Sequence, residues 1–306
     1  MIDLKITLPE SFLEEEVRDG YRVSKKMKEV WAVELDLLNE FIRVCSKYNI
    51  CWWADAGTIL GAARHRGMIP WDDDIDVMLM RDEYERLCAI APKEFTHPYF
   101  FQTNDTDPGS MRGHAQLRNS KTTGILSIER GLNKKINQGI FIDIFPIDDV
   151  PNDSSLLDEQ VSNIACYKER ACIYWQWKTF VPSTFITLIK YRLKYVLTTL
   201  GLLFREDNYP HAYEAYENEA RKYHNCQSDY VAKVVLPPFK PRRLWKRKWF
   251  SETIYLPFEW MSIPVPAGYV DLLDTFYGDW HKFVVGASTH GGVFFDTDNP
   301  YTEYIQ

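Results

Sequence analysis

The chain has no Cys-x-x-Cys pair. Its six cysteines, Cys45, Cys51, Cys88, Cys166, Cys172 and Cys226, lie scattered, with no tight Cys/His cluster of the kind a structural zinc site needs. They read as reduced thiols, most of them packing groups. An excess of basic charge is also missing: 36 Lys and Arg face 43 Asp and Glu, a net charge of −7. That balance argues against a general binder of phosphate backbones, and so against a nucleic-acid partner, while leaving room for a local basic patch. The N-terminal stretch MIDLKITLPESFLEEEVRDG is acidic and has no basic region leading into an apolar run, which predicts a cytoplasmic protein without a secretory leader. The longest apolar stretch, residues 180–204, is interrupted by Lys190, Arg192 and Lys194. A spanning helix would have to place those charges near mid-bilayer, so no membrane crossing is expected there.

Aromatic residues, in contrast, are plentiful at 15%, with ten tryptophans. Such a content suits an aromatic-rich core, sugar stacking or a face on a membrane surface. The run KPRRLWKRKWF, residues 240–250, interleaves six basic residues with Trp245, Trp249 and Phe250. It is compatible with an anionic membrane surface, an anionic glycan or a solvated charged loop.

Periodicity organises the chain. Apolar residues at three- and four-residue steps from Val23 to Cys45 predict an amphipathic helix. Residues 50–54 predict a short strand, Asp55-Ala56-Gly57-Thr58 a glycine turn, and Ile59 to Arg64 the first turns of a helix. Strands are predicted over Asp74 to Met80 and Gly139 to Ile147, with a helix from Arg81 to Ile90 between them and a Pro/Asp/Ser loop over Asp148 to Ser155. Helical stretches follow at 156–179, 185–204 and 212–224. Strand character over Tyr255 to Val265 precedes a short helix from Gly268 to Tyr277. The fold class is therefore α/β (α+β): a mixed sheet flanked by helices, with a helical second half.

The segment Pro70-Trp71-Asp72-Asp73-Asp74-Ile75-Asp76-Val77 carries the chemistry. A strand sends alternate side chains to one face, so Asp72, Asp74 and Asp76 share a side while Ile75 and Val77 face the core. Carboxylates held so closely repel unless a cation neutralises them, and hard oxygen ligands suit Mg2+ or Mn2+. A further acid, Asp143, is embedded in the apolar strand GIFIDIF, where an unpaired charge would be costly. Either it meets a metal or hydrogen-bond donors, or it caps the following loop. The Gly57-Thr58 turn offers backbone N–H groups at a helix N-terminus, a place where phosphate oxygens are welcome. Arg64, His65, Arg66, Arg118 and Lys121 are the basic residues nearest these acids in sequence, each able to neutralise phosphate oxygens or simply to face solvent. His114 and His290 sit beside glycines and read as base, substrate-binding or ordinary loop histidines.

The run from Ala54 to Asp76, ADAGTILGAARHRGMIPWDDDID, closely resembles the signature of the LicD family, with the fukutin-related ribitol-phosphate transferases as more distant relatives. The similarity continues through QLRNSKTT at 116–123, Gly139 to Val150, Tyr277-Gly278-Asp279 and Pro300 to Tyr304, and so covers most of the chain from about Trp31. The resemblance implies a nucleotidyltransferase-like fold, with a catalytic core over 21–150 and residues 151–306 completing the same domain as a helical insertion and C-terminal part. It also implies transfer of phosphocholine or a similar phospho-alcohol from a CDP-linked donor to a cell-surface glycan.

Carried over residue by residue, the family's aspartates fall on Asp72, Asp74, Asp76 and Asp143. The expected metal ligands are Asp74, Asp76 and Asp143, with Asp72 as a candidate base. Gly57, Thr58, Arg64, His65, Arg118, Lys121 and His290 are the expected substrate-binding residues. The acceptor is expected to be an oligosaccharide or a lipid-linked glycan, which favours peripheral contact with the inner face of the membrane. If the donor carries choline, some of Trp52, Trp53, Trp175 and Trp177 could cage the ammonium group. A nucleotidyltransferase releasing pyrophosphate and a non-catalytic binding relative are the alternatives.

Overall fold

A hairpin of β1 (Glu16–Arg18) and β2 (Tyr21–Val23) leads into α1 (Lys25–Tyr48), β3 (Trp53–Ala54), α2 (Ala56–Arg64) and β4 (Asp76–Met80). Next come α3 (Arg81–Glu94), β5 (Tyr99–Gln102), β6 (Ala115–Asn119), β7 (Thr123–Leu126) and the long β8 (Ile140–Asp149). The second half supplies α4 (Ser154–Thr179), α5 (Phe185–Leu203), α6 (Ala212–Arg221), β9 (Tyr230–Ala232) and β10 (Leu244–Lys246). It closes with β11 (Thr253–Phe258), β12 (Met261–Pro266), α7 (Tyr269–Tyr277) and β13 (Val293–Asp296). The computed structural model describes residues 3–129, 136–179, 185–203, 211–236, 243–286 and 292–305.

Among the described residues the main sheet has seven strands and is mixed. Its centre is β8, which runs parallel to β4 and antiparallel to β6 and β9. Alternation along β8 divides the core. Ile140, Ile142 and Ile144 pack with Val77, Leu79 and Leu117 under α1, through Trp31, Leu35 and Leu38. Phe145 and Ile147 pack with Met78 and Trp53 on the other face, with Leu157 and Ile164 of α4 and Tyr216 of α6. Asp143 has the parity of Phe145, so it lies on the α4/α6 face of the sheet, as does Asp76 with Met78.

The predicted long helix is α1, started by Ser24, whose Oγ accepts from the Met27 N–H at 3.2 Å, and stopped by Asn49 at φ 50°. Several boundaries differ from the pattern-based expectation. Strand β4 begins at Asp76 rather than Asp74, so residues 72–75 enter the sheet as irregular chain. The Asp/Pro-rich loop expected at Asp148 is instead the end of β8. Buried Asp148 takes a bidentate contact from Arg81, with Nε at 2.6 Å and Nη2 at 2.9 Å from its two oxygens, which satisfies its charge inside the sheet. The helix expected to reach His224 stops at Arg221. The strand character of Tyr255 to Val265 resolves into the β11–β12 hairpin, turned at Glu259 with φ 52°. Strands β5, β6, β7, β9, β10 and β13 have patterns too short or too uniformly buried for alternation to reveal.

Candidate active site

The acidic segment is held by its neighbours. Asp72 N–H donates to the Ile69 carbonyl at 2.9 Å, and the Trp31 indole donates to the Asp72 carbonyl at 3.0 Å. Asp76 N–H donates to Thr58 Oγ1 at 2.8 Å, and Asp143 N–H to the Ile75 carbonyl at 2.9 Å. Asp76 and Asp143 are register partners in the parallel β4–β8 pair. Strand alternation would turn Asp73 away from its neighbours. Because residues 72–75 lie outside the strand, carboxylate oxygens of Asp72, Asp73 and Asp74 instead gather within 4.8 Å of one another.

Electrostatics follows from this crowding. Burial, then the neighbouring Asp73, pushes the Asp72 carboxyl up to about 6. Asp74 is raised well above the usual carboxylate range by burial and by the charges of Asp76, Asp72, Asp73 and Asp143. Asp76 is raised by burial and then by Asp143. Glu34 in α1 is buried and likewise raised by burial and by Asp73 and Asp72; among the described residues its Oε2 accepts no hydrogen bond.

Asp143 is held the opposite way. Burial works against its charge, yet the His114 imidazole, the Gln116 amide and Arg112 outweigh it and hold the carboxyl down at about 2. His114 Nε2 lies 3.2 Å and Gln116 Nε2 2.6 Å from the same oxygen, Oδ1. Among the described residues Oδ2 accepts no hydrogen bond. The Gln116 carbonyl oxygen accepts in turn from Arg118 Nη2, whose Nε donates to Gln102 Oε1 at 2.6 Å and whose Nη1 donates to the Gly139 carbonyl at 2.7 Å. Arg118 is wholly buried, and burial draws its guanidinium down to about 9. It therefore reaches the acids through Gln116, as an orienting group, with these donors committed inside the sheet.

The glycine turn lies against the same acids. Asp55 caps α2, accepting from the Ala56 N–H at 2.8 Å, and Ala56 takes φ 42°, a region uncommon for residues other than glycine. A Cβ on Gly57 would meet Asp72 Oδ2 at 2.3 Å, so the turn approaches Asp72 as closely as only glycine permits. The second carboxylate oxygen of Asp55 pairs with the ammonium of Lys233, and both side chains are buried. Lys233 follows β9, and its charge also favours the ionised form of Asp76. Gln116, Glu34 and Lys233 were not singled out by sequence reasoning. The signals were present: a glutamate on the apolar stripe of α1, and a lysine inside the apolar run VAKVV.

The remaining predicted residues disperse around this centre. Arg64 Nη1 donates to the carbonyls of Trp280 and Lys282 at 2.7 and 2.9 Å, its Nε points to His65 Nε2 at 2.9 Å, and its guanidinium lies over the Phe283 ring at 4.9 Å. His65 Nδ1 is 2.6 Å from Asp19. These two residues therefore tie α2 to the N-terminal hairpin turn and to residues 280–283. Lys121 lies apart, on a cavity of about 720 Å3 also lined by Phe100, Asp107, Asn137 and Tyr301. His290 falls outside the described residues.

Two tryptophans proposed for an ammonium cage are core residues: Trp52 packs edge-on to Phe41 and Trp53 to Phe250. The side chains of Trp175 and Trp177 lie outside the described set. Of the basic–aromatic run, Leu244–Lys246 form β10 and Arg247–Phe250 a 3-10 turn rather than an open loop. Trp245 and Phe250 are buried in the core and Arg247 pairs with Asp149; residues 240–242 are not described. The Tyr277 hydroxyl, on a side chain 39% exposed at the end of α7, is raised above its usual range by desolvation and then by the charges of Asp72, Asp55, Asp76 and Asp74.

Among the described residues the carboxylates of Asp72, Asp73 and Asp74 are the ones that gather closely, and such crowded hard oxygen donors fit a divalent cation such as Mg2+, while the expected ligands Asp76 and Asp143 lie outside that group. With so many acids in place, an anionic phosphate could approach only if that charge were neutralised.

Residues 49–194 match the family described as LicD/FKTN/FKRP, nucleotidyltransferase domain. Over 263 residues, 84% of this chain and 91% of the relative, the sequence is 28% identical to the lipopolysaccharide cholinephosphotransferase LicD of Haemophilus influenzae. An uncharacterised protein of Rickettsia prowazekii is 38% identical over 82 residues, 26% of this chain and 29% of that protein. One of Rickettsia typhi is 38% identical over 74 residues, 24% of this chain and 23% of that protein.

Proposed function

We propose, from the match of residues 49–194 to the LicD/FKTN/FKRP nucleotidyltransferase domain and the 28% identity to a LicD cholinephosphotransferase over 84% of the chain, that the protein is a metal-dependent phosphotransferase of the LicD kind. In this reading it moves a phospho-alcohol, phosphocholine or a close analogue, from a CDP-linked donor to a hydroxyl of a cell-surface glycan such as lipopolysaccharide. The observation that supports this reading is the crowding of carboxylates at the start of β4, where half-buried Asp72, Asp73 and Asp74 bring oxygens within 4.8 Å of one another and Asp76 is the register partner of buried Asp143.

Asp74, Asp76 and Asp143 would hold the cation, which when bound offsets the charge of the donor diphosphate and of the developing transition state. At the start of α2, where Asp55 already accepts from the Ala56 and Thr58 N–H groups, the Gly57 N–H is the backbone donor assigned to a phosphate oxygen, with Thr58 lining the turn. Arg64, His65 and Tyr277 form the rim against which the rest of the donor lies. Lys121, on its separate cavity, is assigned to the acceptor glycan.

The glycan oxygen attacks the distal phosphorus, forming the new O–P bond as the bond from that phosphorus to the bridging oxygen breaks. CMP departs with the bridging oxygen and its electron pair. Asp72, raised to about 6 by burial and by Asp73, takes the hydroxyl proton. Most of the catalysis is then positioning and charge stabilisation. A nucleotide donor places the reaction on the cytoplasmic side of the membrane.

The test is incubation of the purified chain with Mg2+ and a panel of CDP-alcohols, with and without lipopolysaccharide oligosaccharides, following CMP by chromatography. CMP formed from one donor and lost in Asp76→Asn supports the reading. Pyrophosphate released from CTP instead would replace it with nucleotidyl transfer.

A further inference from the structure

Helix α5 is built inside out. Its sequence, FITLIKYRLKYVLTTLGLL, contains Lys190, Arg192 and Lys194 and no acidic residue. Ile186, Ile189, Leu193, Val196, Leu197 and Leu200 are each between 46% and 81% exposed. At about 100° per residue these six fall in one arc of about 100°. Thr187, Leu188 and Tyr191 fall on the opposite side and are half-buried. The helix packs on α4, so the face turned away from its neighbour is more apolar than the face turned toward it. Exposing so many large aliphatic side chains along one stripe is costly unless something covers them.

The charges say what covers them. Lys190 and Arg192 flank the two edges of the apolar arc, about 20° beyond its last residue on one side and about 40° beyond on the other, and Lys194 follows on the Lys190 side. That is the arrangement in which long cationic side chains reach up to headgroup phosphates while the aliphatic face enters the acyl boundary. The helix carries a charge of +3 within a chain of net charge −7. A chain acidic overall would be repelled from an anionic surface except where its positive charge is concentrated. No helix among the described residues is long and apolar enough to cross a membrane, so the helix would lie in the plane of the surface. Two copies of this face would bring their flanking cations together.

We propose that α5 is an interfacial anchor. Its Ile186–Leu200 face sinks into the surface of an anionic lipid bilayer, and Lys190, Arg192 and Lys194 contact lipid phosphates. This inference is independent of which group the active site transfers.

The test is flotation of the full chain with phosphatidylcholine vesicles that contain or lack phosphatidylglycerol. Binding should require the anionic lipid and weaken as salt is raised. Ile189→Glu with Leu193→Glu should lower the partition coefficient about tenfold or more, with the near-ultraviolet circular dichroism unchanged. Lys190→Gln and Lys194→Gln should each lower it about fivefold on anionic vesicles. If the glutamate pair fails to fold, Leu193→Ala with Leu197→Ala must still reduce binding. Absence of vesicle binding, or binding indifferent to these substitutions, would overturn the proposal. So would a dimer in sedimentation velocity that the glutamate pair dissociates, since a second copy would then be what covers the face.

Discussion

Gln116 stands between a buried cation and a buried anion: its amide nitrogen donates to Asp143 Oδ1 at 2.6 Å, while its carbonyl oxygen accepts from Arg118. One neutral side chain thereby fixes how Asp143 presents itself to the acids of the Asp72–Asp76 segment. Glutamate at this position would give Arg118 a counter-charge, but it would remove the donor to Asp143 and set a like charge beside it. Gln116→Glu should therefore keep or raise the unfolding temperature while lowering the transfer rate about 10–100-fold and raising the Mg2+ needed for half-maximal rate. Thermal unfolding and Mg2+ titrations of the rate on the same preparation check both parts.

The Asp55–Lys233 pair is buried on both sides. Removing only the cation in Lys233→Met leaves the Asp55 carboxylate uncompensated and should cost about 3–5 kcal/mol in urea unfolding. Adding Asp55→Asn, which retains a capping oxygen for α2, should restore much of that loss. A double variant no better than the single would show that Lys233 acts through some other partner.

Asp76→Asn removes one of the mutually repelling carboxylates. Turnover should fall by orders of magnitude, while the metal-free variant becomes more stable than the parent at neutral pH, because a repelling like-charge contact with Asp143 has gone. A rate assay and differential scanning calorimetry in EDTA separate these two effects.

The stability of the metal-free protein should depend on pH in a defined direction. The folded Asp72 carboxyl titrates near 6, raised by burial and Asp73, whereas an unfolded aspartate titrates near about 3.9. Between those values the folded state holds a proton that the unfolded state has released. Stability is therefore greatest at the acid end of this interval and declines as pH rises through about 6. The raised carboxyls of Asp74 and Asp76 extend the decline upward. Saturating Mg2+ should abolish the decline by binding the ionised folded form. Unfolding temperatures across this pH range, with EDTA or with Mg2+, make the comparison.

Gly57→Ala tests the close approach of turn and acid. The new Cβ would fall 2.3 Å from Asp72 Oδ2, so Asp72 must move. Loss of transfer rate with only a small change in unfolding temperature is expected, and an unchanged rate would remove Asp72 from its role as base.

The local part of this site was legible before any coordinates. The step of three and four in α1, the aspartates approaching β4 and one acid inside the apolar GIFIDIF strand are patterns that backbone geometry converts directly into helix, strand and a charge needing a partner. The likeness to LicD sequences likewise rests on contiguous residues around Asp72 to Asp76. What lay beyond reach depends on distant chain. Lys233 reaches Asp55 across 178 positions, and Gln116 faces Asp143 only because β6 pairs with β8 in one register. Asp73 joins the cluster only because β4 begins at Asp76. Periodicity reports which face of its own element a residue occupies. The order of strands in the sheet decides which charges meet, and with them whether a buried arginine serves substrate or orients a glutamine.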